Sequence, residues 1–251
     1  MKSTRTPNLR CIAEGIDPAP LRDFCDACAR ANFWSPVREG KGKDETVVGY
    51  SYLVLRWQQA MNPSYTGKTP LAYCLDTEEH SQLREIVDHP EVKPTVAPAV
   101  SMLNRLARTL SLREVAGIKF AKLAPGGYLS PHVDAGLYPR YFARFHFVVR
   151  SAAGSIAKVG SDKAHMKEGE LWYFNTCEWH QVRNGSQCER IHLIIDGSTH
   201  LFCGLRGVPL LKGPIEAGNV TRQDSVVQMT AEEWLRRNQP GLLSSGGRDE
   251  H

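Results

Sequence analysis

The sequence contains no apolar run long enough to cross a membrane. A transmembrane helix needs about 20 consecutive, mostly apolar residues, and no stretch of this chain approaches that length. The first ten residues carry Lys2, Arg5 and Arg10, but no apolar segment follows them, so they are not a secretory leader and are expected to form a mobile tail. These absences predict a cytosolic protein with no membrane partner.

The cysteines lack the spacing of a disulfide framework. Their number, seven, is odd, which favours free thiols in a reducing compartment. Cys25 and Cys28 form a C-x-x-C, but no second C-x-x-C or H-x-x-x-H follows at zinc-finger spacing. No thioredoxin-like βαβ setting surrounds them either. We interpret them as two thiols on a helix, with a metal or redox role as the alternative.

The charge pattern lacks a basic stripe. The net charge is +4, and basic residues alternate with acidic ones along the chain. Such a pattern argues against a nucleic-acid partner. A chain of 251 residues with 41% hydrophobic residues can bury one sizeable core.

Helical patterns dominate the first part of the chain. We expect one helix over 20–32, a second that begins after Asp76 with Glu79 in its capping box and stops before Pro90, and a third over 97–110. A strand is predicted over 50–57. Near the C-terminus, Thr230 and Glu233 form a capping box that predicts a short helix over 230–237.

From Val115 onward, strand-like segments dominate. They cover residues 118–123, 142–149, 156–159, 170–174, 180–182 and 189–196, and glycine-containing turns separate them. This spacing predicts a mostly β fold with flanking helices and a sandwich or jelly-roll core. We divide the chain into a helical or mixed part over 1–114 that shapes the substrate side and a catalytic core over 115–200. A C-terminal extension over 201–238 and a disordered tail over 239–251 follow.

The motif Pro131-His132-Val133-Asp134 places two metal-binding side chains at positions i and i+2. In an extended chain both side chains point to the same side and can converge on one ion. A histidine from a distant strand completes a two-histidine, one-carboxylate set, which leaves open positions on a non-haem iron. A lone H-x-D, however, often occurs without a metal.

His180 is the candidate for the third ligand. It follows a predicted strand, and Arg190 comes ten residues later, beyond a turn marked by Asn184-Gly185. If the loop has an odd number of residues, His180 and Arg190 face each other on paired strands. Arg190 then presents its guanidinium fork to a carboxylate beside the metal. An even loop excludes this direct pairing.

Two strands repeat an Arg-x-His pattern. Arg144 and His146 lie on one predicted face, opposite Phe145 and Phe147, and Arg190 and His192 repeat the arrangement. Cationic and imidazole groups rarely share a buried face unless a polar ligand satisfies them. The order of H-x-D, Arg-x-His, His and Arg-x-His therefore predicts a ligand-binding interior.

Over residues 118–198 the chain resembles the aspartyl/asparaginyl β-hydroxylase family. The resemblance rests on segments 123–134, 144–146, 169–170, 172–175, 179–184 and 190–196, which include the motifs above. It implies a double-stranded β-helix (a cupin-like jelly roll) that uses Fe(II), O2 and the co-substrate 2-oxoglutarate.

The resemblance also implies roles for individual residues. His132 and His180 match the iron-binding histidines, and Arg190 matches the residue that pairs with the distal carboxylate of 2-oxoglutarate. Arg144 and His146 match a pair that holds the co-substrate near the metal, and we group His192 with them. Asp134 completes the triad; the animal enzymes that name the family lack this carboxylate, whereas many bacterial relatives keep it.

The expected activity is hydroxylation of an unactivated C–H bond with release of succinate and CO2. The substrate is an aspartyl or asparaginyl side chain of a protein or a free amino acid, and Tyr138, Arg140 and Trp172 are candidates for contacting it. One alternative is a cupin-like metal-binding isomerase or sensor without 2-oxoglutarate turnover. A non-catalytic interaction module is a further alternative, against which the intact ligand set speaks.

Overall fold

The structure, a computed structural model, describes residues 8–36, 47–57, 81–134, 139 and 142–199. Within this part the fold is mostly β with flanking helices, as predicted. The helices are α1 (Ala19–Arg30), α2 (Ser81–Asp88) and α3 (Lys93–Thr109). The strands are β1 (Leu9–Ala13), β2 (Ser35–Pro36), β3 (Val47–Trp57), β4 (Leu112–His132), β5 (Ala143–Arg150), β6 (Ser155–Val159), β7 (Asp162–Ala164), β8 (Leu171–Phe174), β9 (His180–Asn184) and β10 (Arg190–Thr199).

The strands form one antiparallel sheet that curls into a nearly closed barrel. Neighbouring strands follow the order β1-β8-β5-β10-β4-β9-β6-β7, while β3 pairs with β4 and β2 pairs with β3. Sequence neighbours such as β4 and β5 are thus separated by other strands, which is the winding of a jelly roll. The predicted double-stranded β-helix core is confirmed.

Strand β4 is the longest element, with 21 residues, and it carries two different partners along one edge. Residues 112–123 pair with β10, residues 128–132 pair with β9, and β3 lies on the opposite edge. The strand bulges at the intervening Pro125-Gly126-Gly127. A Cβ at Gly127 would lie 2.9 Å from the carbonyl oxygens of Ala124 and Val48, so only glycine permits this close approach.

The loop between β9 and β10, residues 185–189, has an odd number of residues, but the pairing of His180 with Arg190 that an odd loop would allow does not occur. Strands β9 and β10 do not pair with each other; they follow one another along β4. The Asn184-Gly185 segment therefore follows a strand that pairs with one part of β4 and leads to a strand that pairs with another part of β4. It is not a hairpin turn. The buried Asn184 side-chain amide fixes this step, because it donates to the carbonyl oxygens of Leu123 at 3.0 Å and Cys188 at 2.7 Å.

Two apolar clusters lie on opposite faces of the sheet. The larger one packs the helices against one face and includes Leu21, Phe24, Leu103, Phe120 and Phe145. The smaller one lies on the inner face of the jelly roll. Its buried members are Leu9, Leu123, Val148, Ala157, Val159, Met166, Phe174 and Val182. The inner cluster leaves room for polar side chains on the same face, as described below.

Helix α3 begins four residues earlier than the sequence predicted, because Pro94 stands in its first turn, where proline needs no hydrogen-bond donor. Helix α1 carries Cys25 and Cys28 as buried free thiols, in agreement with the helical interpretation. Helix α2 ends at Asp88, before Pro90, as expected. Its predicted capping box at Asp76 and Glu79, the helix over 230–237 and the tail over 239–251 lie outside the described residues.

None of the helices in the described part has the length and apolar composition that a membrane span requires.

Candidate metal centre

Three side chains with metal-binding atoms converge at one end of the inner face. His132, at the end of β4, is the register partner of His180, at the start of β9. Asp134 follows two residues after His132, and its backbone N–H donates to the carbonyl oxygen of Thr176 at 3.1 Å. The ligand atoms of His132, Asp134 and His180 all lie within 4.8 Å of one another.

The separations suit a single ion. Asp134 Oδ1 is 3.7 Å from His132 Nε2 and 4.0 Å from His180 Nε2. Ligand atoms about 2.0–2.2 Å from one ion lie up to roughly 4.4 Å apart. Both pairs fall inside this limit.

Both imidazoles are held in the orientation that metal binding requires. His132 Nδ1 lies 2.9 Å from the carbonyl oxygen of Ser130, and His180 Nδ1 lies 2.9 Å from that of Glu178. A carbonyl oxygen only accepts, so each Nδ1 carries the proton and each Nε2 keeps its lone pair for a metal. Burial lowers the pKa of His180 to about 4, so its imidazole is neutral at pH 7.

The carboxylate of Asp134 is divided between two environments. While Oδ1 faces the two histidines, Oδ2 accepts a hydrogen bond of 2.8 Å from Arg144 Nη1. Arg144 in turn forks onto Asp196, with Nε–Oδ1 at 2.7 Å and Nη2–Oδ2 at 2.9 Å. The Asp196 side chain is only 3% exposed. Arg144 therefore bridges two carboxylates of the chain.

A second polar cluster lies further along the inner face. Arg190 and His192 stand on β10, and His146 stands on the neighbouring strand β5; all three are buried. Arg190 Nη2 is 3.1 Å from His192 Nδ1, which is itself 3.3 Å from His146 Nδ1. The predicted Arg-x-His repeats thus meet on one face, whereas Phe145 and Phe147 lie in the helix-facing core.

The proton positions in this cluster follow from the contacts. Arginine only donates, so His192 Nδ1 accepts from Arg190 and His146 Nδ1 must donate to it. In the neutral rings, Nε2 of His192 then carries the proton and can donate, whereas Nε2 of His146 has no proton and can accept. Both Nε2 atoms are buried without a hydrogen-bond partner in the described structure. Burial lowers the pKa of both histidines well below 6.5, which keeps both rings neutral at pH 7.

Phe174 connects the two clusters. Its ring stacks on His146 with centroids 4.5 Å apart and meets the edge of His180 at 5.4 Å. A continuous line of contacts therefore runs from His180 through Phe174, His146 and His192 to Arg190. A small ligand with a metal-binding end and an anionic end fits this order of groups.

Three further polar residues on this face had no role assigned from the sequence. Lys119 on β4 is half-buried beside Arg144 and Asp196, and partial burial lowers its pKa to about 8. Tyr50 on β3 and Arg190 on β10 are the register partners of Leu123 on the two edges of β4. Burial raises the pKa of Tyr50. Strand alternation could have identified Asp196, because it continues the face of Arg190 and His192.

Of the three residues suggested as substrate contacts, Trp172 lies in the described part of the chain. The Trp172 indole N–H donates to Glu170 Oε2 at 2.8 Å, and the ring packs against the inner apolar cluster. Trp172 is also the register partner of His146 on the inner face, so its role as a substrate contact stays a prediction. Tyr138 and Arg140 lie outside the described residues.

Fold and site together define a cupin-like jelly-roll protein with a candidate metal centre of two histidines and one carboxylate. The family model of the aspartyl/asparaginyl beta-hydroxylases matches residues 32–199, roughly two thirds of the chain. The chain therefore belongs to the aspartyl/asparaginyl β-hydroxylase family, as the sequence resemblance indicated. Membership of this family supports an oxygenase-type hydroxylase activity. No curated protein matches the chain by sequence.

Solved structures similar to this chain include oxygenases and cupins. A prolyl-4-hydroxylase from Pseudomonas putida is 15% identical, with a TM-score of 0.43, covering 79% of this chain and 95% of that one. An oxidoreductase of the 2OG-Fe(II) oxygenase family from Burkholderia pseudomallei is 13% identical, with a TM-score of 0.40 and coverage of 75% and 82%. A cupin-2 domain from Rhodospirillum rubrum is 17% identical, with a TM-score of 0.25 and coverage of 33% and 51%.

Proposed function

We propose that the protein is an Fe(II)- and 2-oxoglutarate-dependent dioxygenase that hydroxylates an unactivated C–H bond of an amino-acid-like substrate. His132, Asp134 and His180 are the proposed iron ligands. Arg190, His192 and His146 are the proposed residues for the co-substrate. The observation that carries this proposal is the buried cation of Arg190 on the same inner face as the metal-binding cluster.

Arg190 has a charge that the described part of the chain does not compensate. The residue is 4% exposed, and none of the described carboxylates forms an ion pair with it. Burial lowers its pKa to about 9, so the guanidinium is still cationic at pH 7. A buried charge without a partner is unfavourable. A carboxylate that forms a bidentate pair with the guanidinium removes this penalty.

The two histidines beside Arg190 support the same ligand chemistry. His192 holds the guanidinium through its Nδ1, and its own Nε2–H has no acceptor in the described structure. A dicarboxylate with one end at the metal ligands and the other end at Arg190 passes these rings. The oxygen atoms of such a ligand can accept from His192 Nε2, which is otherwise an orphaned buried donor.

The residues present fit Fe(II), because neutral imidazoles and a carboxylate on one face are the ligand set of non-haem iron oxygenases. When bound, the iron supplies dioxygen activation coupled to oxidative decarboxylation of 2-oxoglutarate, which gives succinate, CO2 and a hydroxylated product. Phe174, which contacts both His180 and His146, lines the inner face between the proposed metal ligands and the proposed co-substrate residues. The rings of His132 and His180 are preorganised, so metal binding needs no rotation of either side chain.

The family name supports an aspartyl or asparaginyl side chain as the substrate, and we propose a free amino acid as the second candidate class. A cytosolic location is part of the proposal. It is supported by the five cysteines of the described part, Cys11, Cys25, Cys28, Cys177 and Cys188, which are all free thiols.

The test is succinate formation by purified protein with Fe(II), ascorbate and 2-oxoglutarate, without a substrate and then over amino acids and peptides. We expect slow succinate release that a true substrate stimulates. His180→Ala should abolish it, because the variant loses one ligand and leaves only two. Arg190→Ala should raise the KM for 2-oxoglutarate by about 100-fold or more, because losing one partner of a buried charged pair costs roughly 3 kcal/mol.

The matched control is His89→Ala, which removes a histidine that contacts Phe33 far along the chain from the ligand cluster. Equal succinate release by wild type and His180→Ala would contradict the site. Metal binding without any 2-oxoglutarate turnover would instead favour the cupin-like isomerase or sensor.

A further inference from the structure

Arg144 is bound differently from Arg190, although both stand in an Arg-x-His pattern on the same face. All three guanidinium nitrogens of Arg144 donate to carboxylates of the chain, two to Asp196 and one to Asp134. Two anions therefore neutralise Arg144 before any ligand arrives. Among the described residues, the hydrogen-bond partner of Arg190 is a neutral imidazole, that of His192. An incoming carboxylate gains much more from Arg190 than from Arg144.

The contact with Arg144 decides which oxygen of Asp134 is available to a metal. Oδ2 is engaged by Arg144 at 2.8 Å, and Oδ1 points to the Nε2 atoms of His132 and His180. A carboxylate held in this way offers one oxygen to an ion. If both oxygens bound, Asp134 would occupy one of the positions that a chelating co-substrate and O2 require.

Arg144 is itself fixed by Asp196. The Asp196 side chain is 3% exposed and holds the guanidinium with two hydrogen bonds in the fork geometry that restricts rotation. Asp196 stands on β10, the strand that also carries Arg190, and it is the register partner of Arg144 on β5. The position of Asp134, which lies beyond the end of β4, is thereby set by the central strands of the sheet.

We propose that Asp196 and Arg144 are positioning residues that hold Asp134 as a one-oxygen metal ligand, and that Arg144 is not a ligand of the co-substrate. This inference rests on the proposed function, because it presumes that His132, Asp134 and His180 bind a metal. It reassigns Arg144 from the role implied by the sequence resemblance, and it gives Asp196 a role.

The test uses Asp196→Asn, which keeps the shape of the side chain and removes its charge, and Arg144→Met, which removes the fork. Two quantities are measured on folded protein: the Kd for Mn(II) or Co(II), and the Kd for 2-oxoglutarate at saturating metal. We expect the metal Kd to rise by about 10- to 100-fold in both variants, the usual effect of losing a residue that orients a ligand. The Kd for 2-oxoglutarate should change less than about threefold, because substitutions at residues that do not contact a ligand have small effects on its binding.

Arg144→Lys and a spectroscopic readout keep the inference testable if one variant does not fold. Lysine carries the charge but cannot fork onto two carboxylates, so its metal Kd should lie between those of wild type and Arg144→Met. The visible spectrum of bound Co(II) should change in Asp196→Asn, because Asp134 is then free to change its binding mode.

The matched control is Asp26→Asn. Arg150 Nη2 contacts both oxygens of Asp26, at 3.0 Å and 2.9 Å, in a comparable carboxylate pair on the helix side of the sheet. This control should leave both Kd values and the Co(II) spectrum unchanged.

Two results would overturn the inference: wild-type metal affinity in Asp196→Asn and Arg144→Met, or a selective loss of 2-oxoglutarate affinity in Arg144→Met with metal affinity intact. Failure of the proposed function looks different. In that case wild type itself binds no metal, or His180→Ala binds it as tightly as wild type does.

Discussion

Replacing Arg190 with methionine should stabilise the ligand-free protein. Burial lowers the pKa of Arg190 to about 9, well below the usual value of a guanidinium, and each pKa unit corresponds to about 1.4 kcal/mol. Charging the residue therefore destabilises the folded state by at most about 5 kcal/mol at pH 7.5. Because the pKa is lower in the folded state than in the unfolded state, this penalty is complete below pH 9 and decreases as the pH rises above 9.

Methionine fills a similar space without a charge, but it loses the hydrogen bond to His192. The net gain in the free energy of unfolding should be about 1–3 kcal/mol, the range found when buried charges give way to apolar groups. For a chain of this size, that gain corresponds to a rise in Tm of about 3–10 °C.

Thermal unfolding of the Mn(II)-loaded protein, with and without 2-oxoglutarate, measures both the stability gained by removing the charge and the stabilisation lost with co-substrate binding. At 100 times its Kd, the co-substrate should stabilise wild type by about 2.7 kcal/mol. It should not stabilise Arg190→Met at the same concentration. The control Arg150→Met removes a cation that already pairs with Asp26 and Glu189, so it should lower Tm slightly and keep the co-substrate effect. A lower Tm for ligand-free Arg190→Met would refute the reasoning, because Arg190 would then have a stabilising partner.

Two further predictions concern stability. Gly169→Ala should lower the free energy of unfolding by about 3 kcal/mol, because φ is +77° and the new Cβ would overlap the carbonyl oxygen of Ile16. Gly126→Ala, at φ +76° in open space, should lower it by only about 1 kcal/mol. Similar losses in urea unfolding would show that the contact with Ile16 does not matter. Acid should also destabilise the metal-free protein below about pH 6.5, because His146 and His192 stay neutral when folded and take up protons when unfolded. The slope should approach about 1.4 kcal/mol per pH unit for each histidine, and a variant His146→Leu with an undiminished slope would contradict this origin.

Period-2 alternation explains how much of the site the sequence could predict. It placed His132 with Asp134, and Arg144 with His146, on common faces, because successive side chains of a strand point to opposite sides. The face shared by Arg190, His192 and His146 follows from the same rule once their strands pair. Local geometry of this kind needs no knowledge of the whole fold.

The pairing of distant strands could not be predicted in this way. Asn184-Gly185 is typical of a hairpin turn, but the fold uses it as a step between two strands that follow one another along β4. Pro125-Gly126-Gly127 looks like a strand end, but β3 bridges the bulge and the strand continues to His132. Both outcomes depend on which strands lie beside β4, and that is decided by packing across the whole barrel.

The contacts of Arg144 could not be predicted from the sequence, because they also depend on which distant strands pair. Asp196 is far from Arg144 in the sequence, and only the pairing of β5 with β10 makes them partners. Family resemblance assigned Arg144 by its motif. Its charge environment depends on Asp134 and Asp196, which the motif does not describe.

The length of β4 has a consequence for how metal availability and folding are connected. His132 and Asp134 are close in any extended segment, but His180 joins them only when β9 has docked on the far end of β4. Such contacts between distant segments form slowly, because a long loop must close first. A partly folded chain thus offers two ligands, and only the completed barrel offers three. Metal in solution therefore binds preferentially to molecules in which β9 has docked on β4, so that metal occupancy reports the fraction of molecules that have formed this contact.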